Sequence, residues 1–90
     1  MKLERAFELM NNFDVPESMK KRAPKWSIIF VGAAGKVMDV VRFYEEYPKP
    51  IRRLDEYREQ HRGAICYFIA KPGQCDYLDK LEKKIKSCFE

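Results

Sequence analysis

The chain lacks any long apolar run. Its longest uncharged stretch, Trp26 to Gly35, falls far short of the ~20 apolar residues that a membrane-spanning helix requires, which excludes that class of membrane protein. The N-terminus reads as a charged amphipathic segment rather than a leader with an apolar centre. Histidine occurs once, at position 61, in the charged run Arg58-Glu-Gln-His-Arg62. With no Cys or Asp partner at a ligand-like spacing, His61 reads as a solvated loop residue, and neither catalysis nor metal ligation is expected of it. Three cysteines, Cys66, Cys75 and Cys88, are odd in number and fit no zinc module. They read as reduced thiols, with Cys75 the most exposed, so an intracellular location is expected. No catalytic, metal or cofactor site emerges from these residue types.

The chain is nonetheless rich in what builds a core. Of its 90 residues, 46% are hydrophobic and 13% aromatic, too apolar for disorder, while 36% are charged. That length makes one domain over residues 1–90, with a helical extension at 1–25 and an α+β core at 26–90. Net charge is +4, as +1 over residues 1–47 (8 basic, 7 acidic) and +3 over residues 48–90 (10 basic, 7 acidic). A basic balance this mild permits an anionic partner without demanding one.

Two apolar runs, Trp26–Gly32 and Ala64–Ala70, are rich in β-branched and aromatic side chains and bounded by Pro or Gly, so both predict strands. Ahead of them, Leu3, Phe7 and Met10 recur at helical spacing and predict an amphipathic helix over 2–12. Lys36–Tyr47 carries Val37, Val40, Val41 and Tyr44 on one helical stripe and predicts a helix closed by Pro48. Residues 51–62 suit an edge strand or a helix equally. The last helix has its apolar stripe at Leu78, Leu81, Ile85 and Cys88/Phe89. If 51–58 is a strand, the order is ferredoxin-like β-α-β-β-α with an extra N-terminal helix and a missing or blurred last strand. If it is a helix, an α/β arrangement remains, with two parallel strands completed by dimerisation. The first is preferred because it buries more with fewer assumptions.

Ile29-Phe30-Val31-Gly32 resembles the first-strand signature of the RNA recognition motif, a ferredoxin-like domain, and Arg62-Gly63 followed by Ala64–Ile69 resembles its second signature. The likeness covers roughly residues 26–87. It implies base stacking on alternate side chains of the two central strands. Period-two alternation groups Ile28, Phe30 and Gly32 with Ala64, Cys66, Phe68 and Ala70. Phe30 then occupies the first stacking position. Ala64 and Cys66 hold the usual aromatic positions of the second signature, with Phe68 as substitute.

Two further clusters carry charge. Arg52, Arg53, Arg58, Arg62 and Lys71 form a basic rim of the kind that tracks a phosphate backbone, although Asp55, Glu56 and Glu59 interleave with them. Gly32, Gly35 and Lys36, at an expected strand-to-helix junction, form a candidate anion site. The expected function is a non-enzymatic binding module for RNA or single-stranded nucleic acid. The alternatives are a small protein-interaction or inhibitor domain acting through a sheet edge or face, and an anion- or nucleotide-binding protein. An open sheet edge also predicts a homodimer or strand addition by a target.

Overall fold

The computed structural model describes residues 3–46 and 54–89, apart from the side chain of Leu3. The helix α1 (Leu3–Asn12) and a single turn α2 (Glu17–Lys20) lead into β1 (Trp26–Val31) and β2 (Val37–Phe43). Then follow α3 (Leu54–Gln60), β3 (Cys66–Ala70) and α4 (Leu78–Ser87). The protein is α+β, with one antiparallel sheet in the order β2-β1-β3. Strand β1 is central and buried along its length, which is why Trp26–Val31 reads as a continuous apolar run rather than an alternating one.

Lys36–Tyr47, expected as a helix, instead carries the strand β2 over Val37–Phe43. Trp26 lies opposite Phe43 and Phe30 opposite Asp39, but Val31 meets Val37 rather than Met38. Met38 is thus the extra residue of a β-bulge. The bulge returns Val37 to the same face as Val40, while Val41 points to the other face. Valines at i, i+3 and i+4 therefore reproduce a helical spacing on a strand packed from both sides. Their β-branched side chains fit the pleat better than a helix.

Residues 54–60 are helical, so the edge strand at 51–58 is not formed; Ile51, Arg52 and Arg53 lie outside the described residues. Acidic Asp55 and Glu56 sit in the first turn of α3 and Arg58 in the last, each complementing the helix dipole. Strand β3 runs antiparallel to β1, with Ser27 opposite Ala70 and Val31 opposite Cys66. The two-parallel-strand arrangement does not occur.

Each face of the sheet carries a helical layer. On the first, Ile29, Val31, Phe68 and Ala70 pack against Ala6 and Met10 of α1 and Leu81 and Ile85 of α4, with Cys88 beside them. On the second, Trp26, Ile28 and Phe30 pack with Val41, Phe43, Tyr67 and Ile69 under Leu54 and Tyr57 of α3. Trp26 stacks on Phe43 at 4.0 Å, and Phe43 meets Tyr57 edge-on at 5.4 Å.

Two tight joints fix the first layer. The β1–β2 loop passes against α4 at Gly35, whose φ of +80° and 2.9 Å clearance from a Cβ to Lys86 Cα admit no larger residue without strain. Buried Gln74 donates from Nε2 to the Met10 and Phe13 carbonyls, at 2.9 Å each, and accepts the Lys71 amide at 2.8 Å. One side chain thereby ties the end of α1 to the turn between β3 and α4.

Candidate functional site

Phe30 and Phe68 do not share a face. Antiparallel pairing sets Phe30 opposite Tyr67 and Ile29 opposite Phe68, and residues directly opposite project to the same side. Phe30 thus belongs to the α3 layer and Phe68 to the α1/α4 layer, each only 1% exposed. Neither offers a free ring on which a base could stack. The period-two grouping failed because it fixed which residues alternate within each strand but not which set of β3 shares a face with Phe30.

The Gly32–Lys36 segment is a hairpin loop, not the start of a helix. The amides of Gly32, Gly35 and Lys36 donate to Lys36, Gly32 and Ala33 carbonyls at 2.7, 3.2 and 3.3 Å. The next amide, Val37, donates to Glu82 Oε2 at 2.8 Å, and that bond holds the Glu82 carboxyl below its usual range. The amides of Gly32, Gly35 and Lys36, the residues expected to hold an anion, are thus committed within the chain.

Of the expected basic rim, Arg52 and Arg53 lie outside the described residues. Lys71 is exposed just beyond the end of β3. Arg58 and Arg62 meet in a groove of about 540 Å³, walled also by Asp55, Glu59, His61 and Tyr67. Phe7 of α1, Phe30 of β1 beneath the His61 ring, and Ala64, Ile65 and Cys66 of β3 and its approach complete the lining. Walls from α1 on one sheet face and α3 on the other place the groove at the sheet edge, beside the first half of β3. Among the described residues no strand pairs with the outer side of β3. Phe7 and Ile65, 43% and 47% exposed, are its open apolar surfaces. Phe7 also sets its ring edge-on to Phe68 at 4.9 Å. Arg58 lies over the Tyr67 ring at 5.8 Å, and Arg62 pairs with Glu59.

His61 is not a solvated loop residue. It is half-buried, stacks flat on Phe30 at 4.0 Å, bonds to Asp39 Oδ2 through Nε2 at 2.8 Å, and bonds to the Tyr57 carbonyl through Nδ1 at 2.6 Å. A carboxylate and a carbonyl only accept, so making both bonds at once requires both ring nitrogens to donate, as they do in an imidazolium. The Asp39 carboxylate, then the Tyr57 carbonyl, raise the His61 pKa above its ordinary 6.5, and the same bond lowers that of Asp39. In that doubly protonated form the ring has no lone pair to act as a base. Burial pushes the thiol of Cys66, on the same groove, upward and away from the reactive thiolate. Cys75, expected as the most exposed cysteine, is buried. The Asp39–His61 contact spans 22 residues and leaves no local signal in the sequence.

Among the described residues, no three His, Cys, Asp or Glu side chains gather as metal ligands, and no helix is long and apolar enough to cross a membrane. Searches of protein-family models, curated proteins and solved structures found no match to this chain.

Proposed function

We propose that this chain is a non-enzymatic binding module that takes an extended segment of a protein partner along the outer edge of β3. The observation that carries this reading is the groove at that edge, flanked by helices of both layers and floored by exposed Phe7 and Ile65. A strand at the border of a sheet leaves alternate N–H and C=O groups pointing outward, which an extended peptide can pair with. Apolar side chains of that peptide would then settle against Phe7 and Ile65, and acidic ones against Arg58.

The test is selection of peptides from a random display library on the full chain, followed by mapping the strongest one by amide chemical shifts. The reading expects shifts concentrated over residues 64–70 and binding weakened about tenfold or more by Ile65→Asp, a loss on the scale of one apolar anchor. Peptides that map to α4 or to the β1–β2 loop would overturn it. A dimer in light scattering, with β3 protected in the dimer, would make the occupant a second copy of this chain.

The nucleic-acid reading survives in a narrower form, favoured by Arg58 lying over Tyr67 inside the same groove. It moves the contact from the sheet face, where the resemblance to the RNA recognition motif put it, to the edge. A single-stranded oligonucleotide that shifts Arg58 and Tyr67, with affinity falling steeply in salt, would decide for it.

A further inference from the structure

The wall of this groove is held by few contacts. Helix α3 has seven residues, none of them fully buried, and a helix that short is marginal in water without tertiary support. Among the described residues, the bond from His61 to Asp39 is what ties α3 and its following turn to the sheet by a side-chain hydrogen bond or ion pair. On its other side, the His61 ring closes the end of α3 by donating to the Tyr57 carbonyl, one of the groups that a helix C-terminus leaves unsatisfied. The same ring covers Phe30 in parallel at 4.0 Å, where a positive charge is attracted to the aromatic face.

We propose that His61 is a proton-operated latch on α3: as an imidazolium it holds the helix closed against β2, and on losing its proton it releases the helix and opens the groove beside β3. This rests on the reading of the groove as the binding site, since Asp55, Arg58, Glu59, His61 and Arg62 are the wall that would move.

A neutral imidazole has one N–H. It can keep Asp39 or the Tyr57 carbonyl but not both, and the contact it abandons sets two lone pairs face to face. The cationic attraction to Phe30 goes with the proton. Other charged and titratable groups share the groove with the ring or act on its partner. From β2 come Asp39 and, acting on Asp39, Arg42. From α3 and its turn come Asp55, Arg58, Glu59 and Arg62, with Glu59 already paired to Arg62; from β3 come Tyr67 and Cys66, whose thiol burial pushes upward. Of these, Asp39 is the group in bonding contact with the ring.

The sign follows from the two shifts. His61 is raised above 6.5, so its contribution is complete below that pH and disappears as pH rises through the higher value of the closed form. Asp39 is lowered, so its contribution is present above 3.8 and disappears only as pH falls through its value in the closed form. The latch is therefore fully engaged between these ordinary values and opens on the alkaline side.

The experiment uses the full chain without any ligand. The nitrogen resonances of the His61 ring are followed from pH 5 to pH 10, together with hydrogen exchange of the α3 and α4 amides, corrected for the intrinsic pH dependence of exchange. The expected midpoint lies above 6.5. Exchange of α3 rises relative to α4 across that midpoint, about tenfold for every whole pH unit that separates it from 6.5. Asp39→Asn should bring the midpoint back toward 6.5 and flatten the pH dependence of α3. A wild-type midpoint at or below 6.5, or a constant ratio of α3 to α4 exchange across it, would overturn the latch whether or not the variant folds. Because no peptide is present, these readouts are independent of the peptide selection above: a working latch with no peptide at β3 would refute the groove reading alone.

Discussion

On one face of the sheet, two ten-residue helices, α1 and α4, close over Ile29, Val31, Phe68 and Ala70 with buried Ala6, Met10, Leu81 and Ile85. On the other, a seven-residue helix with no fully buried residue lies over Trp26, Ile28 and Phe30. The first layer is joined by apolar packing, by Gln74 and by the close approach at Gly35. The second depends on half-buried Leu54 and Tyr57 and on a charged ring. The same central strand thus has a structural side and a movable side. The candidate groove lies where the movable side meets the sheet edge, as expected if functional elements are drawn from the less stable parts of a fold.

Truncation on the structural side should cost most. Leu81→Ala removes a fully buried side chain from the α1/α4 layer and should lower unfolding stability by about 2–5 kcal/mol in a urea titration. Gln74→Ala comes next, because it leaves one buried and one part-buried carbonyl and one amide without their partner; a loss of about 1–3 kcal/mol is expected by the same measurement. On the movable side, Leu54→Ala should cost about 1 kcal/mol, since Leu54 is half-exposed. A cost for Leu54→Ala equal to that of Leu81→Ala would break the comparison. The smallest effect, and of opposite tendency, belongs to Ser27→Ala. The Ser27 hydroxyl is fully buried with no hydrogen-bond partner among the described residues, so its removal should leave the melting temperature unchanged or raise it.

What can be read in the chain alone follows the same division. The structural side is legible: β1 and β3 announce themselves as apolar runs, and α1 and α4 as 3.6-period stripes, because each depends on local pattern alone. The movable side is not. The bulge at Met38 gives β2 a helical spacing, and α3 lies within a segment whose spacing suits two elements. The Asp39–His61 bond joins residues brought together only when β2 pairs with β1 and α3 folds back over it. Phe30 and Phe68 stand out in the sequence as the phenylalanines of the two apolar strands. Their opposite faces, however, depend on the β1–β3 register, which no single strand reveals.

The division between the two sides is tested most directly by native-state hydrogen exchange at one pH, with guanidinium added below the unfolding transition. Amides of β1 and α4 should exchange through an opening whose free energy falls steeply with denaturant, reaching the global value. Amides of α3 should exchange through a smaller opening of lower free energy, nearly insensitive to denaturant, because little surface is exposed when that helix lifts. If α3 and α4 instead share one free energy and one denaturant slope, the protein opens as a single unit and the account of a movable face is wrong.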